Sequence, residues 1–254
     1  MAGALARAVR SPAAAGLVGV LALAGVLEAA IRAGLVNRQI VALPTDALGA
    51  IPLLYDEEDI LSNFLVTLGM TGAAALIAIA VGVPFGYLLY RSRTLGEAYE
   101  GWLAAAFSAP LVLLYPLFLV IFGRTYFTLI VMGFIPGAIP IAIQTRQGLL
   151  SVPRTLINVG RSFHVEPRAL FWKIMFPHAV PNIFNGVRLG IMYSLVNVVA
   201  IEYLTDFGGL GRVVSDTYFR YEIPSTYAAI LFVIGVSMLF FWGFNRIERW
   251  LRPV

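Results

Sequence analysis

Apolar positions in this chain gather into long blocks, and the charged positions fall between them. Nothing charged lies between Arg10 and Glu28, Asp59 and Arg91, Glu100 and Arg124, Arg124 and Arg146, or Glu222 and Arg246. One charge at the centre of a bilayer costs about 2.5–3.5 kcal/mol even on lenient insertion scales, so a long charge-free run marks where the chain can cross a membrane. A helix needs about 20 residues to cross roughly 30 Å of hydrocarbon. The four later gaps reach that length, and the first does with its edges. A sixth gap holds only the 13 residues between Arg188 and Glu202. It spans if extended to 183–204, with Arg188 snorkelling to one face and Glu202 near the other. The pattern therefore predicts an all-α polytopic protein with one transmembrane domain over 1–254 and six spans, about 12–31, 62–90, 102–123, 125–146, 183–204 and 224–245.

Sorting the charges by these spans gives the protein a direction. With the N-terminus inside, thirteen of the eighteen basic residues and four of the fourteen acids are cytoplasmic, a net +9. The outside keeps Arg32, Arg38, Arg124, Arg212 and Arg220 with ten acids, including the run Asp56 to Asp59, a net −5. This follows the positive-inside rule and puts both termini in the cytoplasm. The bulk figures agree with a membrane protein: 59% hydrophobic and 13% charged residues, with a mean hydropathy of +0.84. An ordinary soluble domain has about 25% charged residues, so disordered chains, nucleic-acid binders and most soluble enzymes are excluded. The absence of cysteine removes disulfides, thiolate metal sites and thiol catalysis. Arg7, Arg10, the apolar run and Ala29-Ala30 also fit a cleaved signal peptide, which would leave five spans; the length of the run and the nearby Glu28 favour retention.

Several residues stand out against this background. Pro84, Pro110, Pro116, Pro136 and Pro140 fall within predicted spans. Each removes a helical hydrogen bond that lipid cannot replace, so these sites are expected to face other helices or a wet cavity. Asn182, Gly186, Gly190 and Ser194 recur every four residues on the fifth span, a small-residue stripe suited to helix packing. Asn185, Asn197 and Glu202 are polar near membrane depth and need partners. The segment 147–182 reads as surface helices, Val152–Phe163 and Pro167–Phe176, closed by Pro177 and Pro181. Its basic residues Arg154, Arg161, Arg168 and Lys173 make it an amphipathic platform, lying on lipid headgroups or docking another protein. His164 and His178 are the only histidines and are expected to be solvated or packed, with no metal bound. Ser108, Ser151 and Ser162 lack the nucleophile-elbow pattern of a hydrolase. Hydropathy alone leaves a channel, a secondary transporter or an intramembrane enzyme as alternatives.

The stretch from Leu149 to His164 (LLSVPRTLINVGRSFH) and that from Arg168 to Pro181 (RALFWKIMFPHAVP) resemble the cytoplasmic signature loop of binding-protein-dependent ABC transporter permeases. Asn185 to Gly190, Ala200 to Leu204 and Gly209 to Gly211 resemble the next helix, its outer end and the loop beyond. Leu43-Pro44-Thr45 and the Arg91 to Arg93 turn look like the nitrate, sulfonate, taurine and bicarbonate branch. The resemblance implies a type I ABC importer fold and a bacterial inner-membrane location. Its implied partners are two ATPase subunits, a second permease copy as homodimer or related heterodimer, a periplasmic or lipid-anchored solute-binding protein, and membrane lipid, with no nucleic acid. ATP and Mg would sit in the ATPase, since this chain has no phosphate-cradling Gly-rich loop followed by Lys and Ser or Thr.

On that resemblance, residues 152–171 are the coupling helix, with Arg154, Asn158, Val159, Gly160, Arg161, Ser162, Phe163, His164, Arg168 and Phe171 as ATPase contacts. The substrate-path candidates are Tyr115, Gln144, Asn185, Tyr193 and Asn197, and the cargo is a small anion or a thiamine-precursor pyrimidine moved inward by alternating access. The chain departs from the pattern where Asn158-Val159-Gly160 replaces the usual Glu-Ala-Ala and where His164 replaces the usual turn glycine, with Pro167 close behind. The second change matters if that residue takes a left-handed conformation.

Overall fold

A computed structural model describes residues 12–251. Arg7, Arg10 and Arg252, counted above on the cytoplasmic side, and the first part of the possible signal peptide lie outside the described residues. The described chain is helical, with α1 (Pro12–Arg32), α2 (Pro44–Gly49), α3 (Ile51–Asp56), α4 (Ile60–Arg91), α5 (Arg93–Ser108) and α6 (Tyr115–Phe122) in its first half. The second half holds α7 (Tyr126–Leu150), α8 (Arg154–Ser162), α9 (Pro167–Leu170), α10 (Phe176–Thr205), α11 (Leu210–Phe219) and α12 (Ile223–Leu251). Five helical stretches are long and apolar enough to cross a membrane, and a sixth crossing exists if α5 and α6 count as one broken span.

That broken span corrects the expectation of a single helix over 102–123. The α5 helix begins at Arg93, where the Ser92 side chain accepts a hydrogen bond from Leu95 N–H at 3.4 Å, and it ends at Ser108. The chain then turns by 85° into the 3-10 turn Leu111–Leu114 and α6. Pro110 causes the break, because its ring bars the preceding residue from helical geometry, and Ala109 is extended at φ −74° and ψ 140°.

The long loop over 147–182 is a second correction. The α7 helix runs on to Leu150, and from Pro167 the chain stays helical through α9, a π-turn at Phe171–Met175 and α10. Pro177 and Pro181 therefore lie within the helical run. Pro177 has no N–H to give, and the π-turn, in which Phe176 N–H bonds to Phe171 O, shifts the ladder by one residue just ahead of it.

The residues cluster into two compact units. One comprises the chain up to Ile60 with Val213–Val233, and the other comprises Leu61–Arg212 and the chain from Ile234. In the first, the Glu28 carboxylate accepts from Arg32 at 2.6 Å and from the hydroxyl and N–H of Thr45 at 2.8 and 3.2 Å, fastening the end of α1 to α2. In the same unit Arg220 pairs with Glu58, and Tyr55 meets Phe232 edge to face.

The second unit is organised by three stripes of small residues. A Cβ on Gly190 of α10 would lie 2.6 Å from Gly137 O and 2.7 Å from Ile141 of α7. A Cβ on Gly186 would lie 2.6 Å from Gln144 Cβ. Ser194 donates to Gly133 O at 2.9 Å across the same seam. On the other side of α7, Gly82 and Gly86 of α4 press against the backbone carbonyls of Ala138 and Ala142. Lipid supplies no hydrophobic drive between helices, so close backbone approach and the hydrogen bond hold the seam. Pro136 and Pro140 are buried in α7 among these neighbours, as expected, and Pro110 lines a cavity, whereas Pro84 and Pro116 are exposed.

Candidate functional site

The segment after α7 builds a small helical platform. Gly160 of α8 is buried against the side chains of Leu170 and Ile174, so α8 rests on α9 and the π-turn. Leu156, Val159 and Phe163, exposed to 42%, 54% and 78%, recur at a spacing that puts them on one side of the helix, next to the Gly160 contact. Arg154, Asn158, Arg161, Ser162, His164 and Arg168 are exposed beside them, as is Trp172. Of the ten residues expected to contact an ATPase, Gly160 faces inward and Phe171 is half-buried, its ring 5.3 Å from that of Tyr87. The other eight point outward.

The end of α8 explains the His164 departure. Val165 N–H bonds to Gly160 O at 3.1 Å and His164 N–H to Arg161 O at 2.9 Å, the two bonds of a Schellman cap. That cap requires a left-handed residue at its penultimate position, and His164 has φ +56°. Histidine sits where a side chain is disfavoured by about 1 kcal/mol. The His164→Gly variant is therefore expected to raise stability by up to about 1 kcal/mol, offset in part by the freer unfolded chain. Thermal unfolding of the purified chain checks this; a lower midpoint for the glycine variant would show that the imidazole holds the turn.

The bend between α5 and α6 opens a cavity of about 220 Å³ lined by Ala106, Phe107, Pro110, Pro136, Tyr193, Asn197 and apolar neighbours. Two of the five path candidates, Tyr193 and Asn197, line it. Tyr193 packs its ring 4.8 Å from Phe107, and Asn197 donates one amide hydrogen to Tyr193 O at 2.9 Å. The other three candidates lie outside this lining. Tyr115 packs on the cluster of Leu129, Met132 and Ile201, Gln144 sits in the α7–α10 seam, and Asn185 is half-buried on α10. The sequence reading missed Phe107, whose place depends on the bend; the proline after Ser108-Ala109 was the available signal.

Glu202, three residues before the end of α10, is fully buried and finds the partners that a polar residue near membrane depth needs. The Thr67 hydroxyl lies 2.9 and 2.8 Å from its two carboxylate oxygens and donates to them, and Gly211 N–H donates to Glu202 at 3.1 Å. Thr67 Oγ1 in turn accepts from Leu210 N–H at 2.8 Å, and Asn63 Oδ1 accepts from Gly209 N–H at 2.9 Å. The backbone N–H groups entering α11 have no helical partners of their own, and α4 and α10 supply the acceptors. Gly209, at φ +90°, has no room for a side chain because a Cβ would meet the Glu202 carboxylate.

Residues 74–253 match the family described as binding-protein-dependent transport system inner membrane component. The chain is 26% identical over 197 residues to a probable ABC transporter permease protein of Brucella melitensis, covering 78% of this chain and 80% of the relative. It is 27% identical over 191 residues to the bicarbonate transport system permease protein of Synechocystis, covering 74% of this chain and 68% of the relative. Its fold is similar to a chain of the MetNI methionine ABC transporter in an inward-facing conformation, with a TM-score of 0.66 at 23% identity over 76% of this chain and 96% of that one.

Proposed function

The chain belongs to the family of binding-protein-dependent transport system inner membrane components, a permease component of an ABC importer, and from that premise we propose that it is driven through α8. The observation that carries this reading is the exposed apolar strip of α8 beside its buried contact with the platform. Leu156, Val159 and Phe163, exposed and flanked by Arg154, Arg161 and Arg168, offer a docking surface, while the neighbouring Gly160 locks α8 onto Leu170 and Ile174. Because α9, the π-turn and α10 are one helical run, a displacement of α8 passes into α10, which packs along α7 and lines the cavity. ATP-driven closure of two ATPase subunits would then bias two permease copies between inward-open and outward-open arrangements. ATP and Mg belong to those ATPase subunits.

In this reading residues 152–171 face the cytoplasm with both termini, the excess of basic residues on that side supporting the orientation. A solute-binding protein delivers a small solute from the opposite side, and the solute passes Tyr193 and Asn197. The named cargo of the Synechocystis relative, bicarbonate, supports a small solute of that size. Replacing residues 154–164 by a Gly/Ser linker is expected to abolish capture of an ATPase from the native operon by the purified chain. Phe163→Ala should weaken that capture about tenfold, as loss of an exposed aromatic anchor does at interfaces. Retained capture and coupled uptake in the linker variant would defeat the proposal.

A further inference from the structure

We infer that the π-turn at Phe171–Met175 and the adjoining end of α4 form a binding site for an anionic phospholipid, with Arg91 and Lys173 meeting its phosphate and Trp172 at the boundary between headgroup and chains. The inference rests on the cytoplasmic placement of residues 152–171 proposed above. Phe171 packs its ring 5.3 Å from Tyr87 of α4, and Trp172 packs 5.2 Å from Phe171 and 5.1 Å from Phe176. These rings join the turn to the end of a helix long and apolar enough to cross a membrane. Trp172 nevertheless stays 58% exposed. Leu170 and Ile174, which hold Gly160 of α8, lie two positions to either side of Trp172. Two positions are about half a helical turn, so the indole stands on the side away from the α8 contact.

The charges and the apolar surface around the indole identify the occupant. Lys173 is exposed next to Trp172, and Arg91 is exposed one turn after Tyr87 on the same side of α4. Among the described residues neither cation pairs with a carboxylate, whereas Arg93 pairs with Glu97 at 2.7 Å and Arg146 with Glu100 at 3.1 Å. Two cations without an acid complement a phosphodiester that carries no cation of its own, the defining feature of an anionic headgroup. Ile77, Val81, Pro84 and Leu88 run along α4 to Arg91 at three- and four-residue steps, and all are exposed. This stripe gives an acyl chain a track that ends at the guanidinium. Tryptophan suits the end of such a track, because its ring body is apolar and its N–H donates to phosphate or ester oxygens at the membrane boundary.

The experiment places the full chain in phosphatidylcholine nanodiscs and titrates in phosphatidylglycerol brominated on its acyl chains, with brominated phosphatidylcholine as the neutral counterpart. The readout is quenching of Trp172 fluorescence, taken as the difference between the unsubstituted chain and Trp172→Phe. The anionic lipid is expected to quench at a mole fraction about twenty-fold lower than the neutral one, and Lys173→Gln to reduce that preference about fivefold. Arg91→Gln serves as the second variant if Lys173→Gln does not fold. Equal quenching by the two lipids, a preference indifferent to the charge variant, or no quenching of Trp172, as a second permease copy over this face would give, overturns the inference. Added inorganic phosphate should leave the quenching unchanged, and competition by it would overturn the lipid assignment in favour of a free-phosphate site. ATPase subunits added to the same preparation should leave the preference in place, and loss of Trp172 quenching on their binding would assign the indole to that interface and overturn the inference. Capture of the ATPase without lipid preference sinks this inference alone, and lipid preference without capture sinks only the coupling reading.

Discussion

Glu202→Ala is expected to destabilise the chain by about 3–5 kcal/mol, because it strands two buried donors and leaves a void where the carboxyl was. The donors are the Thr67 hydroxyl and the Gly211 N–H, both of which give their hydrogens to this carboxylate at the entrance to α11. Losing them also frees Thr67, which holds Leu210 N–H, so the tie between α4, α10 and α11 loosens at several points. Glu202→Gln keeps one acceptor oxygen and the same shape, and its cost should be nearer 1 kcal/mol. Gly209→Ala should resemble the alanine variant, since its Cβ would enter the carboxylate's position at φ +90°. Unfolding midpoints of the purified proteins decide this: equal midpoints for the alanine and glutamine variants would mean that the carboxyl is not a structural acceptor.

The second large effect belongs to the α7–α10 seam. Gly190→Leu is expected to leave no folded chain, and Gly190→Ala to cost about 1–3 kcal/mol, because the added carbon meets a backbone carbonyl that cannot move aside. That carbonyl is Gly137 O, 2.6 Å from the Cβ position, with Ile141 at 2.7 Å. Gly69 and Gly72 of α4 give the contrast, since a Cβ at either meets nothing within 4 Å. Alanine there should be neutral or stabilise by about 0.5–1 kcal/mol through its better helix propensity. Fluorescence-detected size-exclusion after graded heating compares them directly, and equal losses at Gly72 and Gly190 would refute the close seam.

The importer family is legible in the sequence because its signals are local. Charge-free runs locate helices, since the penalty for a buried charge acts residue by residue whatever the neighbours are. The four-residue spacing of Gly186, Gly190 and Ser194 gives a stripe from helical periodicity alone, and the contiguous residues from Leu149 to Pro181 carry the family resemblance. The 85° bend was less legible, as Pro110 signals a break in one residue but the angle depends on what α5 and α6 pack against.

Other features belong to the tertiary structure because their partners are far away in the chain. Glu202 reads as an acid in need of a partner, and Thr67, 135 residues earlier, is brought against it only by the fold. Tyr193 and Asn197 separate from Tyr115, Gln144 and Asn185 only when Phe107 and Pro136 close around them. The strain at His164 appears only when Gly160 is pressed onto Leu170, which makes the chain reverse within a few residues and forces a left-handed step on a residue with a side chain. A hydrophobic run reports the solvent around a helix, and the identity of the neighbour that touches it comes from packing alone.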